Sequence, residues 1–463
     1  MRKYIFSVLL TGLVIIHTGC KKFVEVSPPI TEIVTTEAFK EDASATSAVL
    51  GIYINILSER SFLNSGISVY SAMAADETTD FTNNAENLQF QQNLIAPTNS
   101  VIASMWASAY QNMLLVNTCI DGLQQSTSLT AAVKKQLLGE CRFSRAFINF
   151  YLVNLWGKIP LVTSANYKEN AVIGQSAEED VYQSMINDLK AADTLLTEAY
   201  PTEEKARPNK WTAHALLARV YLYHKEYANA ESEASAVIGS NAYGPLPDLN
   251  GTFLKSSAET IWQLMPSQNL QLTTDEGNIF IGDIMYGSGP NYPITPALIA
   301  SFETDDQRKT TWIDTITYGN TLYYYPFKYK DRGSYGVAPS EYYVMFRLSE
   351  QYMIRAEASA QLKKLNESVA DVNVIRSRAG LDDVTAEMPS LTQENLLTAI
   401  ANENRHEFFA EWGHRWLDLK RTGKADAVLS AEKPTWLPTA VWFPLPQAEL
   451  DINKKLKQNL GYN

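Results

Sequence analysis

The chain has 463 residues, 45% hydrophobic and 19% charged, and a formal net charge of −12. These values suit a folded globular protein of two domains or one large helical one. The acidic balance argues against nucleic acid and anionic membrane surfaces as partners, and three cysteines are too few for a disulfide scaffold.

Arg2 and Lys3 precede an apolar run, Ile5 to Ile16, and the small residues Thr18 and Gly19 lead directly into Cys20. This is the layout of a secretory signal, too short to span a bilayer as a helix. A cysteine at that point looks like a bacterial lipobox, in which residues 1–19 are removed and Cys20 becomes a lipidated N-terminus. Plain secretion with Cys20 removed is the alternative, and His17 departs from the aliphatic residue usual there. Loss of Arg2 and Lys3 takes the net charge from −12 to −14.

Lys21 to Thr36, with Pro28 and Pro29, reads as an extended tether. Thr36 to Leu57 reads as a helix with Ala38, Ala45, Val49, Ile52 and Tyr53 on one side. Ser61 to Pro97 is polar and Asn-rich and reads as a loop. Helices are expected over Val101–Gln125 and Thr130–Leu155, the second ended by Trp156 and Gly157. Cys119 and Cys141 fall in these two helices, as two buried thiols or as a single bridge between neighbours. Ser176-Ala177-Glu178-Glu179 reads as a capping box opening a helix through Ala199.

Trp211 to Gly239 reads as two helices joined by a turn near Lys225–Tyr227. Leu217, Ala218, Tyr221 and Ala230 stand at tetratricopeptide spacing. A shift of 138 residues superposes Glu350–Leu381 on this unit, with Ala356 on Ala218 and Ser368 on Ala230. Helix pairs near 131–199 and 36–125 supply two further units, the last interrupted by the Ser61–Pro97 loop. The fold class expected is mainly α: a tetratricopeptide-like repeat scaffold of about four helix pairs with a loop-rich aromatic insertion. That insertion runs from Phe280 to Phe346, where 15 of 67 residues are aromatic and Gly and Pro recur. Loops, short strands and small helices are expected there, and insertions into repeat arrays commonly form the binding face.

The search for catalytic chemistry returns little. His406-Glu407 begins like a zinc-protease motif, but Ala410 stands where the second histidine is required. Nucleophile elbows and phosphate-binding glycine loops are absent. Asp76, Glu77 and Asp80 lack a calcium-loop pattern and read as loop caps.

One stretch, Glu403 to Arg421, concentrates carboxylates, arginines and large aromatic rings. Thr392 caps the helix that leads into it. Glu403, Glu407 and Glu411 lie four apart, on one face of a continuing helix that bends or ends at Gly413. Cations must answer these carboxylates; Arg405, Arg415, Lys420 and Arg421 are the nearest in sequence, and Glu407 and Glu411 are expected to pair with arginines, Arg415 or Arg405 among them. Trp416 is expected to be buried. The stretch resembles the C-terminal signature of the SusD/RagB nutrient-uptake lipoproteins, E-R-R-x-E-L-x-x-E-G-x-R-W-x-D-L-x-R. Asn404 replaces an Arg of that pattern and Trp412 separates Glu411 from Gly413. Phe443 to Asn463 resembles the ending of the same family, with Leu460 in place of Pro.

The resemblance implies a non-enzymatic, cofactor-free lipoprotein on the outer membrane, anchored through Cys20. Its partners would be a glycan or oligosaccharide ligand and a SusC-like TonB-dependent transporter. The other reading is a transporter-docking lid that binds peptides or no glycan. It divides the chain into a signal (1–19), an N-terminal region (20–240) and a C-terminal region (241–463) within one compact fold.

Sugar rings present apolar C–H faces that exposed aromatic rings cover, while amides bond the hydroxyls. The ligand site is expected where the Ser61–Pro97 loop meets the aromatic insertion. Trp312 is the first candidate platform, because it stands in the polar stretch DDQRKTTWIDT. Tyr292 and Tyr286 follow, among Gly and Pro, with the Tyr323–Tyr325 run as further platforms and Phe81, Asn83 and Asn84 from the early loop.

Overall fold

The structure, a computed structural model, describes residues 37–58, 62–266, 274–281, 288–332, 337–386 and 388–462. Cys20 and Tyr286 lie outside the described residues. The principal helices are α1 (Asp42–Ile56), α2 (Ile67–Ala74), α3 (Ala85–Gln92), α4 (Ser100–Gln125), α5 (Ala131–Trp156), α6 (Glu178–Leu195), α7 (Lys210–Tyr223) and α8 (Tyr227–Gly239). After the insertion begins come α9 (Gln307–Thr311), α10 (Leu348–Gln361), α11 (Leu365–Arg378), α12 (Gln393–Glu407) and α13 (His414–Arg421).

Helix α1 packs on α4, α5 on α6, α7 on α8 and α10 on α11, and α8 in turn packs on α10. The two units read from the sequence as copies share one backbone turn. Lys225 and Lys363, 138 positions apart, both turn the chain in the left-handed region, at φ of 63° and 64°. The residues after them, Glu226 and Lys364, open α8 and α11 with nearly the same angles, φ −86° and ψ 66° against φ −88° and ψ 67°. Ala218, Ala230, Ala356 and Ser368 are all fully buried, and Ser368 Oγ donates to the Ala356 carbonyl at 2.7 Å. Small side chains at these positions let the paired helices approach closely.

Three expectations are corrected and one open choice is settled. The Ser61–Pro97 segment is not simply a loop. It holds α2, whose Ile67, Val69, Ala72 and Met73 are buried, and α3, capped by the Asn84 carbonyl. No capping box forms at Ser176: Ala177 takes the N-cap position without a side-chain bond, and α6 ends at Leu195 rather than Ala199. The helix of the signature stops at Glu407, so Glu411 does not share its face. Ala410, Trp412 and Gly413 adopt φ of 54°, 49° and 70° before α13 begins. Only glycine fits at the last of these, since a Cβ on Gly413 would stand 2.8 Å from Ser71 Oγ. Cys119 and Cys141 are free and buried, which settles the open choice between thiols and a bridge.

The insertion and the segment before it form two small antiparallel sheets. Strands β1 (Thr260–Leu264) and β4 (Tyr343–Arg347) pair with Gln263 opposite Val344. Strands β2 (Ile313–Tyr318) and β3 (Thr321–Pro326) form a hairpin. Its turn, Gly319-Asn320, has positive φ at both positions, the geometry that matches strand twist. The β1–β4 sheet is fixed to α5 by rings: Trp262 lies 4.9 Å from Phe143 and 5.4 Å from Phe147, and Phe346 lies 5.9 Å from Phe147. Among the described residues no helix is long and apolar enough to cross a membrane.

Candidate functional site

The aromatic insertion is held to the scaffold by a buried charge network. Arg308 from α9 donates to Glu403 at 2.5 Å and to Glu407 at 3.2 Å, and also clasps Asp306. Arg347, the last residue of β4, bonds Glu407 and both oxygens of Glu411, the latter at 3.0 and 2.9 Å. Arg378 at the end of α11 joins Glu407 to Glu259, and Lys328 donates to Glu411 at 2.5 Å. Glu407 is fully buried. Burial alone would raise its pKa, yet Arg378, Arg347 and Arg308 hold it well below the usual carboxylate range. Held ionised, Glu407 is the shared buried countercharge of Arg308, Arg347 and Arg378.

The cations answering Glu407 and Glu411 are therefore not Arg405 and Arg415, which both pair with Asp76, at 2.7 and 2.8 Å. Sequence proximity misled because the segment reverses direction between Glu407 and His414. Trp416 is fully buried as expected. His406 stacks on Phe302 at 4.5 Å and meets Ser301 Oγ at 3.0 Å, and burial pushes its pKa down to about 3. Among the described residues no group of His, Cys, Asp and Glu is arranged to hold a metal.

Trp312 is not a platform. It is fully buried, its indole Nε1 donates to the Leu249 carbonyl at 2.8 Å, and its ring lies 4.9 Å from Lys328 Nζ and 5.5 Å from the Arg378 guanidinium. Its polar sequence neighbours Asp306 and Arg308 are buried with it. Arg308 satisfies Asp306 and the signature carboxylates together, so these two polar residues became interior. Tyr292 is also buried, at 8% exposure, with its hydroxyl accepting from Asn87 Nδ2 at 3.2 Å. It pins the early segment to the insertion and presents little surface of its own.

The expected meeting of the two segments does occur. Thr78 pairs with Ile294, Thr79 N donates to the Pro293 carbonyl and Phe81 N to the Asn291 carbonyl, each at 2.9 Å. Ile294 N then bonds the Tyr324 carbonyl of β3 at 2.8 Å. This layering brings the half-buried Phe81 to 5.0 Å from the ring of Tyr323 and 5.9 Å, edge to face, from that of Tyr318. Tyr318 is 42% exposed. Gly289 lets the backbone come against this group, because a Cβ there would sit 2.6 Å from Phe81 Cε1. Asn83 is exposed beside the cluster in a left-handed conformation. Asn84 spends its side-chain oxygen on Glu86 N and Asn87 N, the cap of α3. Tyr318 was not among the expected residues, and its one mark in sequence is its place just before the Gly319-Asn320 turn.

The chain is a helix-pair scaffold with an aromatic cluster on its insertion, and comparison with known proteins supplies the family. Residues 22–222 match the family described as starch-binding and associating with the outer membrane, and residues 303–462 match the SusD family. The SusD-like protein P2 of Formosa agariphila is 26% identical over 99% of both chains. In structure the chain resembles a SusD superfamily protein of Bacteroides vulgatus, with a TM-score of 0.78 and 20% identity over 92% of this chain and 100% of the other. A laminarin binding SusD-like protein superposes with a TM-score of 0.74 and 23% identity, over 91% of this chain and 100% of that one. The chain belongs to the SusD/RagB family. Proteins of this family are associated with the outer membrane, and starch binding is part of the description that residues 22–222 match.

Proposed function

We propose that this protein captures oligosaccharides at the cell surface, without catalysis, and passes them to a SusC-like TonB-dependent transporter. The observation that carries the reading is the cluster of Phe81, Tyr318 and Tyr323, which reaches solvent where the early segment joins the insertion. Tyr318 and Tyr323 offer ring faces to a sugar, and Asn83 offers an amide to its hydroxyls. Each stacking contact is worth about 1 kcal/mol. A few such contacts give micromolar to millimolar affinity, roughly 4–8 kcal/mol in all. That suits a protein that must release its cargo. Lipidation of Cys20 would hold the protein at the outer membrane, with residues 21–36 as the tether.

A glycan array tests the reading, with starch and laminarin fragments first, the classes attached to the family description and to one structural relative. Binding of at least one glycan, together with copurification of a membrane-embedded barrel partner, is expected. Copurification with no glycan bound would leave a docking lid instead.

A further inference from the structure

A cleft of about 630 Å³ opens between α8 and α10 on one side and α12 and α13 on the other, and it shares no residue with the aromatic face. We propose that this cleft is a second ligand site, which takes a small acidic saccharide carrying a carboxylate or a sulfate ester. The proposal does not rest on the aromatic face.

Its volume falls in the range of small-molecule sites. Its charge is the unusual feature in a chain of net −12. Five cations line it, Lys225, Arg405, Arg415, Arg421 and Lys424, against the carboxylates Glu357, Glu394 and Asp418. Arg421 alone serves two of those carboxylates, Glu357 at 2.5 Å and Asp418 at 2.7 Å. Arg405 and Arg415 share a single partner behind the wall, Asp76. The neighbouring Glu77 adds no countercharge at neutral pH, since burial and then Asp76 push it up to about 8. Lys225 and Lys424 are exposed at the cleft and form no ion pair among the described residues.

The surplus is thus positive and rests on the ammonium groups of Lys225 and Lys424, unpaired among the described residues, which favour anionic oxygens over neutral hydroxyls. The other walls fit a sugar. The half-buried ring of Tyr227, with Leu397 and Val428, offers an apolar surface to C–H groups, and the Gln361 and Asn402 amides stand ready for hydroxyls.

Isothermal titration of the purified protein with digalacturonic acid, galactose 6-sulfate and neutral galactobiose tests this. At least one acidic sugar is expected to bind, more weakly as salt rises, while galactobiose does not bind in the cleft. Which acidic sugar binds tells carboxylate from sulfate ester. Lys225→Gln with Lys424→Gln, both at exposed positions, should weaken binding severalfold. Ala401→Trp, which places a ring in the cleft from the exposed face of α12, should abolish it without lowering the melting temperature. Phe81→Ala should leave acidic-sugar binding unchanged. The proposal is overturned if neither acidic sugar binds, if the double lysine variant binds normally, or if Phe81→Ala removes the binding.

Discussion

Arg347 Nη2 meets Glu411 Oε1 at 2.9 Å, with both side chains buried, and so ties the last residue of β4 to the reversal between α12 and α13. This contact and its neighbours join the insertion to the scaffold, and two of the predictions below depend on them.

Glu407→Ala leaves Arg308, Arg347 and Arg378 with one fewer carboxylate in a buried site. The expected loss of stability is about 3–5 kcal/mol, the usual cost of leaving a buried charge uncompensated. Urea denaturation measures it. A loss under about 1 kcal/mol would show the network to be dispensable.

Trp312→Ala should behave as a core truncation. The ring touches Phe253 and sits over Lys328 and Arg378, so its removal should cost about 3–5 kcal/mol. Glycan binding by the protein that remains folded should be normal. A variant that melts like the wild type but has lost its ligand would return Trp312 to the binding face.

Tyr323→Ala removes a ring from the aromatic face, where the side chain is only half-buried. Glycan affinity should fall severalfold, consistent with a contact of about 1 kcal/mol, with the melting temperature nearly unchanged. Gly289→Ala should weaken binding too, by displacing Phe81. Titration of both variants with the glycan found on the array decides the matter.

Glu77 and Glu276 should contribute a stability that falls as pH rises from about 5 to 8, against an opposite contribution below about 6.5 from the buried His406, whose proton only the unfolded state holds. Glu276 is pushed up to about 8 by burial, and Glu77 to about 8 by burial and Asp76, from an ordinary 4.5. Within that window the folded state keeps protons that the unfolded state has released, so deprotonation favours unfolding. Each group contributes up to roughly 1.4 kcal/mol per pH unit. Glu276→Gln, a neutral isostere facing the Tyr343 hydroxyl, should flatten the profile. Melting temperatures across the window check this, and an unchanged slope in the Glu77→Gln, Glu276→Gln double variant would refute it.

Cys20→Ala should shift the protein out of the outer-membrane fraction and end labelling by a palmitate analogue. Continued membrane retention would remove the lipid-anchor reading.

Local pattern determined a good deal of this protein. The helix spans of the scaffold, the 138-residue repeat, the Thr392 cap and the burial of Trp416 all follow from periodicity, small residues and short-range hydrogen bonding, which adjacent residues encode. The signature motifs carried the family, and the meeting of early segment and insertion was legible as two interruptions of one array. Only the tertiary structure decided which charges pair and which rings are exposed. Trp312 looked exposed because Asp306 and Arg308 flank it, yet Arg308 finds Glu403 and Glu407 nearly a hundred positions away and carries its partner Asp306 inside with it. Phe81, Tyr318 and Tyr323 come together through backbone pairing of residues 78–81 with 291–294 and of Ile294 with Tyr324. Burial and ion pairing depend on partners distant in sequence, and local polarity does not encode who those partners are.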